Sequence, residues 1–345
     1  MSARLVQLFA LASAIAAGAA VAASATLTHA EPARGDARSA APSPSSPAAC
    51  ATCHASAARE WESSAHRRSA SDPVYEAALE LEEPSFCRAC HAPSADPARP
   101  TPPGAREAGI TCVDCHANAS TPHASAPAGR ARVRTRACGS CHEFAFPDGR
   151  PAMQRTETEH QKSAFRGVSC ASCHMPARGA GRVDHGFAID RDMLQSAVVA
   201  DVERASAGTI ALRLRPGRVG HAMPTGDLFR RVVVTAELRD AAGAVTAQRR
   251  RDLARHFTGA SRVERRDDRI GEGLEPCFEL DFGPTARGSV HLEIAYERVA
   301  HPVGPRPERA EVASRVLLHT LDLDAAAPRL GPCSPSAPPG AGARP

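Results

Sequence analysis

The sequence predicts an α+β protein, with a mostly helical and irregular N-terminal half followed by a C-terminal β-sandwich. The first observation is a contrast in apolar content. Residues 50–175 contain eleven Leu, Ile, Val and Phe among 126, whereas residues 197–324 contain 33 among 128. The second observation is that the apolar residues of the later region fall into short alternating runs separated by turn signals. Such runs are typical of strands with one buried face.

The first 30 residues have the pattern of a secretory signal peptide. Arg4 precedes an apolar, Ala-rich run that starts at Leu5, and small-residue cleavage sites end at Ala25 and at Ala30. The alternative is an uncleaved membrane anchor, for which the run is rather short. In either case the sequence predicts that the rest of the chain is periplasmic or otherwise exported.

Composition divides the remaining chain into four predicted parts. A flexible linker rich in Pro, Ser and Ala is predicted at 31–48, a cysteine-rich domain at 49–196, the β-sandwich at 197–324, and a disordered Pro- and Gly-rich tail at 325–345. The net charge is a modest +4 with acids and bases interleaved, which gives no reason to propose a nucleic-acid partner.

Ten of the twelve cysteines occur in five copies of the motif Cys-x-x-Cys-His. The copies comprise Cys50, Cys53 and His54; Cys87, Cys90 and His91; Cys112, Cys115 and His116; Cys138, Cys141 and His142; Cys170, Cys173 and His174. This motif is the attachment signature of haem c, in which both thiols bond to the haem and the histidine binds its iron. A zinc site or a redox dithiol would leave the five adjacent histidines unexplained. The sequence therefore predicts five covalently attached haems.

The scarcity of apolar residues between 50 and 175 supports the same prediction. Their share is well under the roughly 20% below which a charged chain is suspected of disorder. Such a peptide alone can hardly bury enough apolar area to offset the entropy lost on ordering. Five large and mostly apolar haems would supply the missing core, so we expect the haem-free form of this domain not to fold.

Each haem iron has a sixth coordination position, and a second histidine there gives a centre suited to electron transfer. Five histidines outside the motifs are the candidate distal ligands: His66, His123, His160, His185 and His221. Of these, His66 is predicted on a short helix that follows the first motif. Methionine is the alternative ligand type, and the candidates are Met153, Met175 and Met223.

An internal repeat bears on His160. The segment from Glu60 to His66 aligns with the segment from Glu159 to Phe165, with the Ser-Ala pair in the same place. In this register Phe165 takes the position of His66, and His160 takes the position of Trp61. A ligand role and a packing role for His160 therefore both stay open.

Strands are predicted where apolar residues alternate in the C-terminal half. The predicted strands are Thr209–Arg215, Val232–Leu238, Val245–Arg250, Cys277–Phe282, Val290–Tyr296 and Arg315–Leu323. The second and third are joined by a turn at Asp240–Gly243, which predicts a hairpin. Cys277 and Cys333 lie outside every motif and either form a disulfide in an oxidising compartment or stay unpaired.

Four segments resemble multihaem cytochromes related to the tetrahaem cytochrome of nitrifying bacteria and to hydroxylamine oxidoreductase. They are Cys53–His66, Gly109–His123, Gly167–Pro176 and Gly220–Asp227. The resemblance spans about residues 49–324. It implies a haem-bearing helical domain, with distal histidines near the first and third motifs and a β-sandwich appended as in some members.

The chain departs from the catalytic branches of that group. Pentahaem ammonia-forming nitrite reductases typically carry lysine in place of one motif histidine, whereas all five motifs here end in histidine. Hydroxylamine oxidoreductase has more haems and a tyrosine crosslink, and neither Tyr75 nor Tyr296 lies in such a context. Both departures argue against those two activities.

The sequence thus favours an electron-transfer protein, with mostly bis-histidine haems and redox proteins as partners. The alternative is a reductase or oxidase of a small nitrogen or sulfur compound, which would act at one haem whose sixth position is open. A third hypothesis makes residues 197–324 a binding module for a partner or a mineral surface.

Overall fold

The computed structural model describes residues 46–80, 84–116, 135–145, 152–179, 181–206, 208–257, 263–300 and 310–323. All of them belong to one compact unit, Pro42–Pro345. The described helices are α1 (Pro47–Ala51), α2 (Ala55–Glu62), α3 (Pro73–Ala78), α4 (Pro84–His91), α5 (Pro103–Ala108), α6 (Cys112–His116), α7 (Thr135–His142), α8 (Thr156–Lys162), α9 (Cys170–His174) and α10 (Arg191–Ser196).

The described strands concentrate in the C-terminal half. They are β1 (Glu143–Ala145), β2 (Ala152–Arg155), β3 (Val198–Ser206), β4 (Thr209–Pro216), β5 (Arg230–Arg239), β6 (Val245–Leu253), β7 (Arg255–Phe257), β8 (Glu264–Asp267), β9 (Cys277–Asp281), β10 (Ser289–Val299) and β11 (Val312–Leu323). Short helices followed by long strands confirm the predicted mixed α+β class.

The helices are short, and local sequence signals fix where several of them begin. Helix α1 begins at Pro47, and the Ser46 side chain accepts a hydrogen bond from an N–H of its first turn. Helix α3 begins at Pro73 after Asp72, which caps two N–H groups in the same way. Proline fits the first helical position because its missing N–H has no intrahelical partner there. Helices of five to eight residues are marginal alone, so their stability must come from tertiary contacts.

The larger sheet has four antiparallel strands in the order β11-β10-β5-β6. In β5 the residues Val232, Val234, Ala236 and Leu238 are buried and share one face of the strand. Strand β10 pairs with β5 along its length and places Ile294 opposite Val234. This is the alternation that the sequence predicts, and it gives the sheet one apolar face.

The second sheet has three antiparallel strands in the order β3-β4-β9. Its central strand buries Ile210, Leu212 and Leu214 at alternate positions. These side chains belong to the same hydrophobic core as the buried face of β5 and β10, so both sheets share one core. Helix α10 adds Leu194 to that core, and Gln195 donates a hydrogen bond to the Leu317 carbonyl.

The N-terminal half has almost no apolar core of its own. Its buried hydrophobic cluster consists, among the described residues, of Ala70, Tyr75 and Ala92 with a few half-buried neighbours. Polar contacts hold its segments instead. The Trp61 indole donates to the Ile110 carbonyl at 2.7 Å, and the Ile110 N–H donates to the His66 carbonyl at 3.0 Å.

All six predicted strands are confirmed, and the predicted hairpin is the β5–β6 pair. Strand β3 was not predicted, because its buried positions include the charged residues Glu203 and Arg204. The two short hairpins β1–β2 and β7–β8 were also missed. Strand β8 reads Glu-Arg-Arg-Asp, so no apolar alternation marks it.

Several predictions concern residues outside the described ranges. They are the signal peptide at 1–30, most of the linker at 31–48, the ligand candidate His123, Cys333 and the tail at 325–345. Cys277 lies within the described ranges and is disulfide-bonded. No helix in the described part of the chain is both long and apolar enough to cross a lipid bilayer.

The shared core predicts the effect of truncating Leu212, which is fully buried. Leu212→Ala should lower the free energy of unfolding by about 2–5 kcal/mol, because it removes buried methyl groups and leaves a cavity. The matched control is Leu321→Ala on β11, where the leucine is 41% exposed and a loss below about 1 kcal/mol is expected. Chemical denaturation followed by far-ultraviolet circular dichroism measures both, and equal losses would contradict the shared core.

Candidate haem-binding site

Each of the five motifs lies on a short helix or at the end of one. The first spans α1 and the turn into α2, and the others lie at the ends of α4 and α7 or fill α6 and α9. Residues three and four apart share one face of a helix. The second cysteine and the histidine of a motif therefore fall on the same side as the first cysteine, as attachment of one flat group requires.

Polar side chains cap the N-terminal ends of two of these motif helices. Ser169 precedes α9, and its hydroxyl oxygen accepts the Ser172 N–H at 3.2 Å. Before α6, a carboxylate oxygen of Asp114 accepts both the N–H and the hydroxyl of Thr111, at 2.6 and 2.8 Å. Both contacts hold the first turn of the motif, where backbone N–H groups lack helical partners.

The motifs meet one another through their cysteines. Cys50 of the first motif lies near Cys112 of the third, and Cys90 of the second lies near Cys141 of the fourth. The other thiol of the fourth motif, on Cys138, contacts Cys170 of the fifth. The fourth motif thus adjoins two others and joins three of the five attachment sites into one cluster.

Three motif histidines face a second histidine from elsewhere in the chain. The ring centroids of His174 and His221 are 6.3 Å apart, those of His116 and His185 are 6.4 Å apart, and those of His66 and His142 are 6.5 Å apart. Two imidazoles on opposite sides of one metal ion should have centroids about 6 Å apart, since each metal–nitrogen bond is about 2.0–2.1 Å and each ring adds its radius. The three separations fit that requirement.

Backbone carbonyls orient three of the rings. The Nδ1 atoms of His91, His185 and His221 lie 2.7, 3.0 and 3.0 Å from the carbonyls of Ser69, Val183 and Ala222. A carbonyl can only accept a hydrogen bond, so Nδ1 carries the proton in each ring. The other nitrogen, Nε2, then has a free lone pair, as a metal ligand needs.

Burial favours the neutral form of five histidines of the ring pairs. Loss of hydration, reinforced by neighbouring histidines, lowers the pKa of His66 to about 4. Burial likewise lowers the pKa of His116, His142, His174 and His221. A histidine must be deprotonated to bind a metal ion, so the surroundings favour the ligating form.

The placement of His66 corrects one sequence prediction. Helix α2 ends at Glu62, and His66 lies four residues beyond it in a series of turns rather than on the helix. The buried Ser64 hydroxyl accepts the Arg67 N–H at 3.1 Å and thereby forms one of these turns. Gly109, with φ of +58°, packs so closely on the His66 carbonyl that a Cβ would lie 2.5 Å from its oxygen.

Two aromatic residues that the sequence analysis missed pack on the histidines. Phe187 is a non-glycine residue with φ of +50°, and its ring lies 4.3 Å from the His66 ring and 6.4 Å from the His185 ring. Tyr75 stacks on the His91 ring at 4.0 Å with nearly parallel planes. Neither residue belongs to a motif, and only the fold brings them to the histidines.

The remaining ligand candidates are not brought into such ring pairs. His160 lies against Gly220, where a Cβ would be 3.0 Å from the His160 ring. Met223 is buried in the hydrophobic core and exchanges two backbone hydrogen bonds with Ile270. Met153 lies on β2, and Met175 follows α9 directly.

The residues present therefore fit covalently bound haem. The histidine pairs have the spacing of a shared metal ion, their free Nε2 atoms are suited to ligation, and the cysteines cluster beside them. The peptide of this half also buries little apolar surface without a bound group.

Comparisons with known proteins agree with this geometry. Residues 105–180 match the sequence profile described as cytochrome c3, and residues 49–117 match the one described as cytochrome c554 and c-prime. The fold is similar to the crystal structure of a penta-heme cytochrome c552 from Thermochromatium tepidum. The TM-score is 0.59 at 21% identity, and the match covers 79% of this chain and 97% of the other. No curated protein matches the sequence significantly.

These matches support the interpretation of the chain as a multihaem c-type cytochrome. The two profile matches together span residues 49–180, which contain all five motifs. The structural match extends over most of the chain and shows that the combined helical and strand-rich fold occurs in another protein.

An ion pair next to the second motif gives a prediction about pH. Asp72 accepts two hydrogen bonds from the Arg298 guanidinium at 2.9 and 3.0 Å. Burial raises the pKa of Asp72, but the hydrogen bonds and charge of Arg298, together with two backbone N–H groups, outweigh it and leave the pKa below its ordinary 3.8. The ionised pair therefore stabilises the fold above pH 4, and this contribution is lost as the pH falls through the lowered pKa.

Asp72→Asn keeps the helix cap of α3 but removes the charge. It should lower the free energy of unfolding at pH 7 by about 1–2 kcal/mol. The free energies of unfolding of variant and wild type should converge as the pH falls below 4 toward the lowered pKa of Asp72. Asp201→Asn, which removes the more exposed pair with Arg215, should cost less than about 1 kcal/mol. Urea denaturation from pH 3 to 7 measures both, and a pH-independent loss for Asp72→Asn would contradict the role of the charge.

Proposed function

We propose that the protein is an exported cytochrome c that binds five haems covalently and transfers electrons. The observation that carries the proposal is the set of three histidine ring pairs, 6.3–6.5 Å apart, each with one member from a Cys-x-x-Cys-His motif. Haem bound with histidine on both faces supplies a low-spin iron that takes up and releases one electron.

The proposed ligand pairs are one motif histidine and one distal histidine for each of three irons. His142 is paired with His66, His116 with His185, and His174 with His221. The thiols of each motif hold the porphyrin edge beside its histidine. In this assignment the carbonyls that bind Nδ1 of His185 and His221 fix which nitrogen faces the metal.

The role of His160 follows from its position rather than from ring pairing. Its ring packs on Gly220, the residue before His221. We therefore assign it to packing, which matches the place of Trp61 in the internal repeat. The irons at His54 and His91 have no assigned sixth ligand among the described residues, and His123 is the candidate for one of them.

Two groups of adjoining motif cysteines support electron transfer between haem centres. Attachment sites one and three adjoin, and sites two, four and five adjoin through the thiols of the fourth motif. Electron transfer between neighbouring centres needs such proximity. The exposed cysteines Cys53 and Cys173 lie in the first and fifth motifs, one in each group, and mark two places at the surface where redox partner proteins are proposed to dock.

Export is supported by two features. The first 30 residues have the pattern of a cleavable signal peptide. The disulfide of Cys277 is typical of an oxidising compartment outside the cytoplasm. A periplasmic or otherwise exported location follows from the two together.

A second candidate function is supported by the surroundings of His91. The aromatic ring packed against His91 is Tyr75, and no histidine ring of the described residues lies opposite it. An iron held by His91 alone would be accessible to a small nitrogen or sulfur compound. On this alternative the protein is a reductase or oxidase rather than a carrier.

The test of the proposed function is spectroscopic. The purified protein should contain five haems per chain by intact mass, and the same mass should place cleavage after Ala25 or Ala30. Electron paramagnetic resonance (EPR) should show mainly low-spin haem, because histidine occupies both faces. If carbon monoxide leaves the reduced spectrum unchanged, the carrier function is supported. If about one haem in five is high-spin and binds carbon monoxide, the alternative at His91 is favoured, whereas largely high-spin haem would contradict both assignments.

A further inference from the structure

The internal repeat places one glutamate at the same position in each copy. Glu60 on α2 and Glu159 on α8 each stand one residue before the aligned pair Trp61 and His160. The buried serines that follow, Ser64 and Ser163, also correspond. The two helices are therefore related in structure as well as in sequence, and their glutamates can be compared contact by contact.

Glu60 holds the segment that contains His185. One carboxylate oxygen accepts the backbone N–H of His185 at 3.0 Å, and the other accepts the Arg182 guanidinium at 2.5 Å. Asp184, between these two residues, accepts the Gly186 N–H at 2.6 Å and pairs with Arg178. The backbone on both sides of His185 is thus fixed by carboxylates.

Glu159 makes the same set of contacts with the segment that contains His221. One carboxylate oxygen accepts the backbone N–H of Ala222 at 3.2 Å and the Thr225 hydroxyl at 3.0 Å. The other accepts the Arg269 guanidinium at 2.5 Å. Arg269 also donates to the Pro224 carbonyl at 3.0 Å, so the segment is held at three points.

We infer that Glu60 and Glu159 are equivalent positioning residues, which set the orientation of the His185 and His221 rings toward their irons. The inference rests on the proposed ligation by these two histidines. Each glutamate joins a helix of the motif-bearing region to the backbone at or next to a distal histidine, and each is paired with arginine. Glu60 pairs with Arg182, and Glu159 pairs with Arg269 and, at 3.4 Å, with Arg155. The same arrangement at two separate sites argues against a chance surface contact.

The chemistry of the contacts explains why a carboxylate is needed. Each carboxylate receives only donors: a backbone N–H and a guanidinium in both cases, and at Glu159 also a hydroxyl and the Arg155 guanidinium. Hydrogen bonds with a charged acceptor are roughly twice as strong as neutral ones. A glutamine has the same shape, but its amide N–H₂ would face one of these donors without an acceptor. The substitution therefore loosens the segment that contains the distal histidine without removing side-chain volume.

The experiment compares Glu159→Gln and Glu60→Gln with the ligand variants His221→Ala and His185→Ala, all as haem-loaded protein. Each histidine variant should remove one low-spin EPR signal and add one carbon monoxide-binding haem per chain. Glu159→Gln should shift the signal that His221→Ala removes and leave the others in place. Glu60→Gln should do the same for the signal that His185→Ala removes.

The matched control is Glu264→Gln. Glu264 pairs with Arg155 and Arg255 in the network next to Glu159, and none of its hydrogen bonds within the described ranges reaches the His221 segment. It should lower the melting temperature without shifting any EPR signal. If Glu159→Gln is not recovered with haem, Thr225→Val removes one contact of the same carboxylate and should give a smaller shift of the same signal.

The outcomes separate this inference from the proposed function. If the histidine variants each remove a signal while the glutamate variants behave like Glu264→Gln, the glutamates are structural only and the inference is wrong, whereas the ligand assignment stands. If the histidine variants remove no signal, the ligand assignment fails and the inference fails with it. Selective shifts of the EPR signals in both glutamate variants support the ligand assignment and the inference alike.

Discussion

The stability of the N-terminal half of the protein is limited by the small amount of apolar side-chain surface that it can bury. Its described hydrophobic cluster centres on Ala70, Tyr75 and Ala92. The core that the two sheets share contains twenty buried residues among those that the structure describes. Folding must offset the entropy lost by every ordered residue, and so small a cluster cannot do this for more than a hundred residues. The bound haems that the motifs indicate would supply the missing contact area.

The strand-rich half completes this arrangement. It carries His221 on the segment between β4 and β5, and its arginines contact the motif-bearing region. Arg298 pairs with Asp72, and Arg255 donates to the carbonyls of Ala152 and Met153 at 2.6 Å. These contacts are ionic or polar rather than apolar, in keeping with the composition of the N-terminal half. We therefore infer that the sheets form a hydrophobic core of their own and also hold the motif-bearing region in place through ionic and polar contacts.

Sequence reasoning was most successful where one local pattern decides the outcome. Alternation of Ile210, Leu212 and Leu214 predicted β4, which the structure confirms, whereas the ten attachment cysteines and five motif histidines stay a prediction from motif spacing. It failed where charged residues are buried or ion pairs replace apolar contacts, as in β3 with Glu203 and Arg204 and in β8. The local pattern also placed His66 on a helix, which is wrong. Helix α2 ends at Glu62, and the contact between the Ser64 hydroxyl and the Arg67 N–H forms a turn instead.

The pairing of histidines lies beyond any local pattern. His66 and His142 are 76 positions apart in the chain, and only the fold brings their rings to 6.5 Å. The sequence supplied the distal candidates His66, His185 and His221 by matching spare histidines to irons, but it gave no partner for each. Tyr75 and Phe187 were missed for the same reason, since nothing near them in sequence marks a contact with a histidine. The repeat did mark Glu60 and Glu159 as equivalent, although their contacts became visible only in the fold.

The central claim is that the paired histidine rings share iron ions. An anomalous difference map from a crystal of the haem-loaded protein, recorded at the iron absorption edge, locates each iron without reference to the protein coordinates. Our account predicts five peaks, of which three lie between His66 and His142, between His116 and His185, and between His174 and His221. Peaks next to the motif histidines with His66, His185 and His221 turned away from them would contradict it.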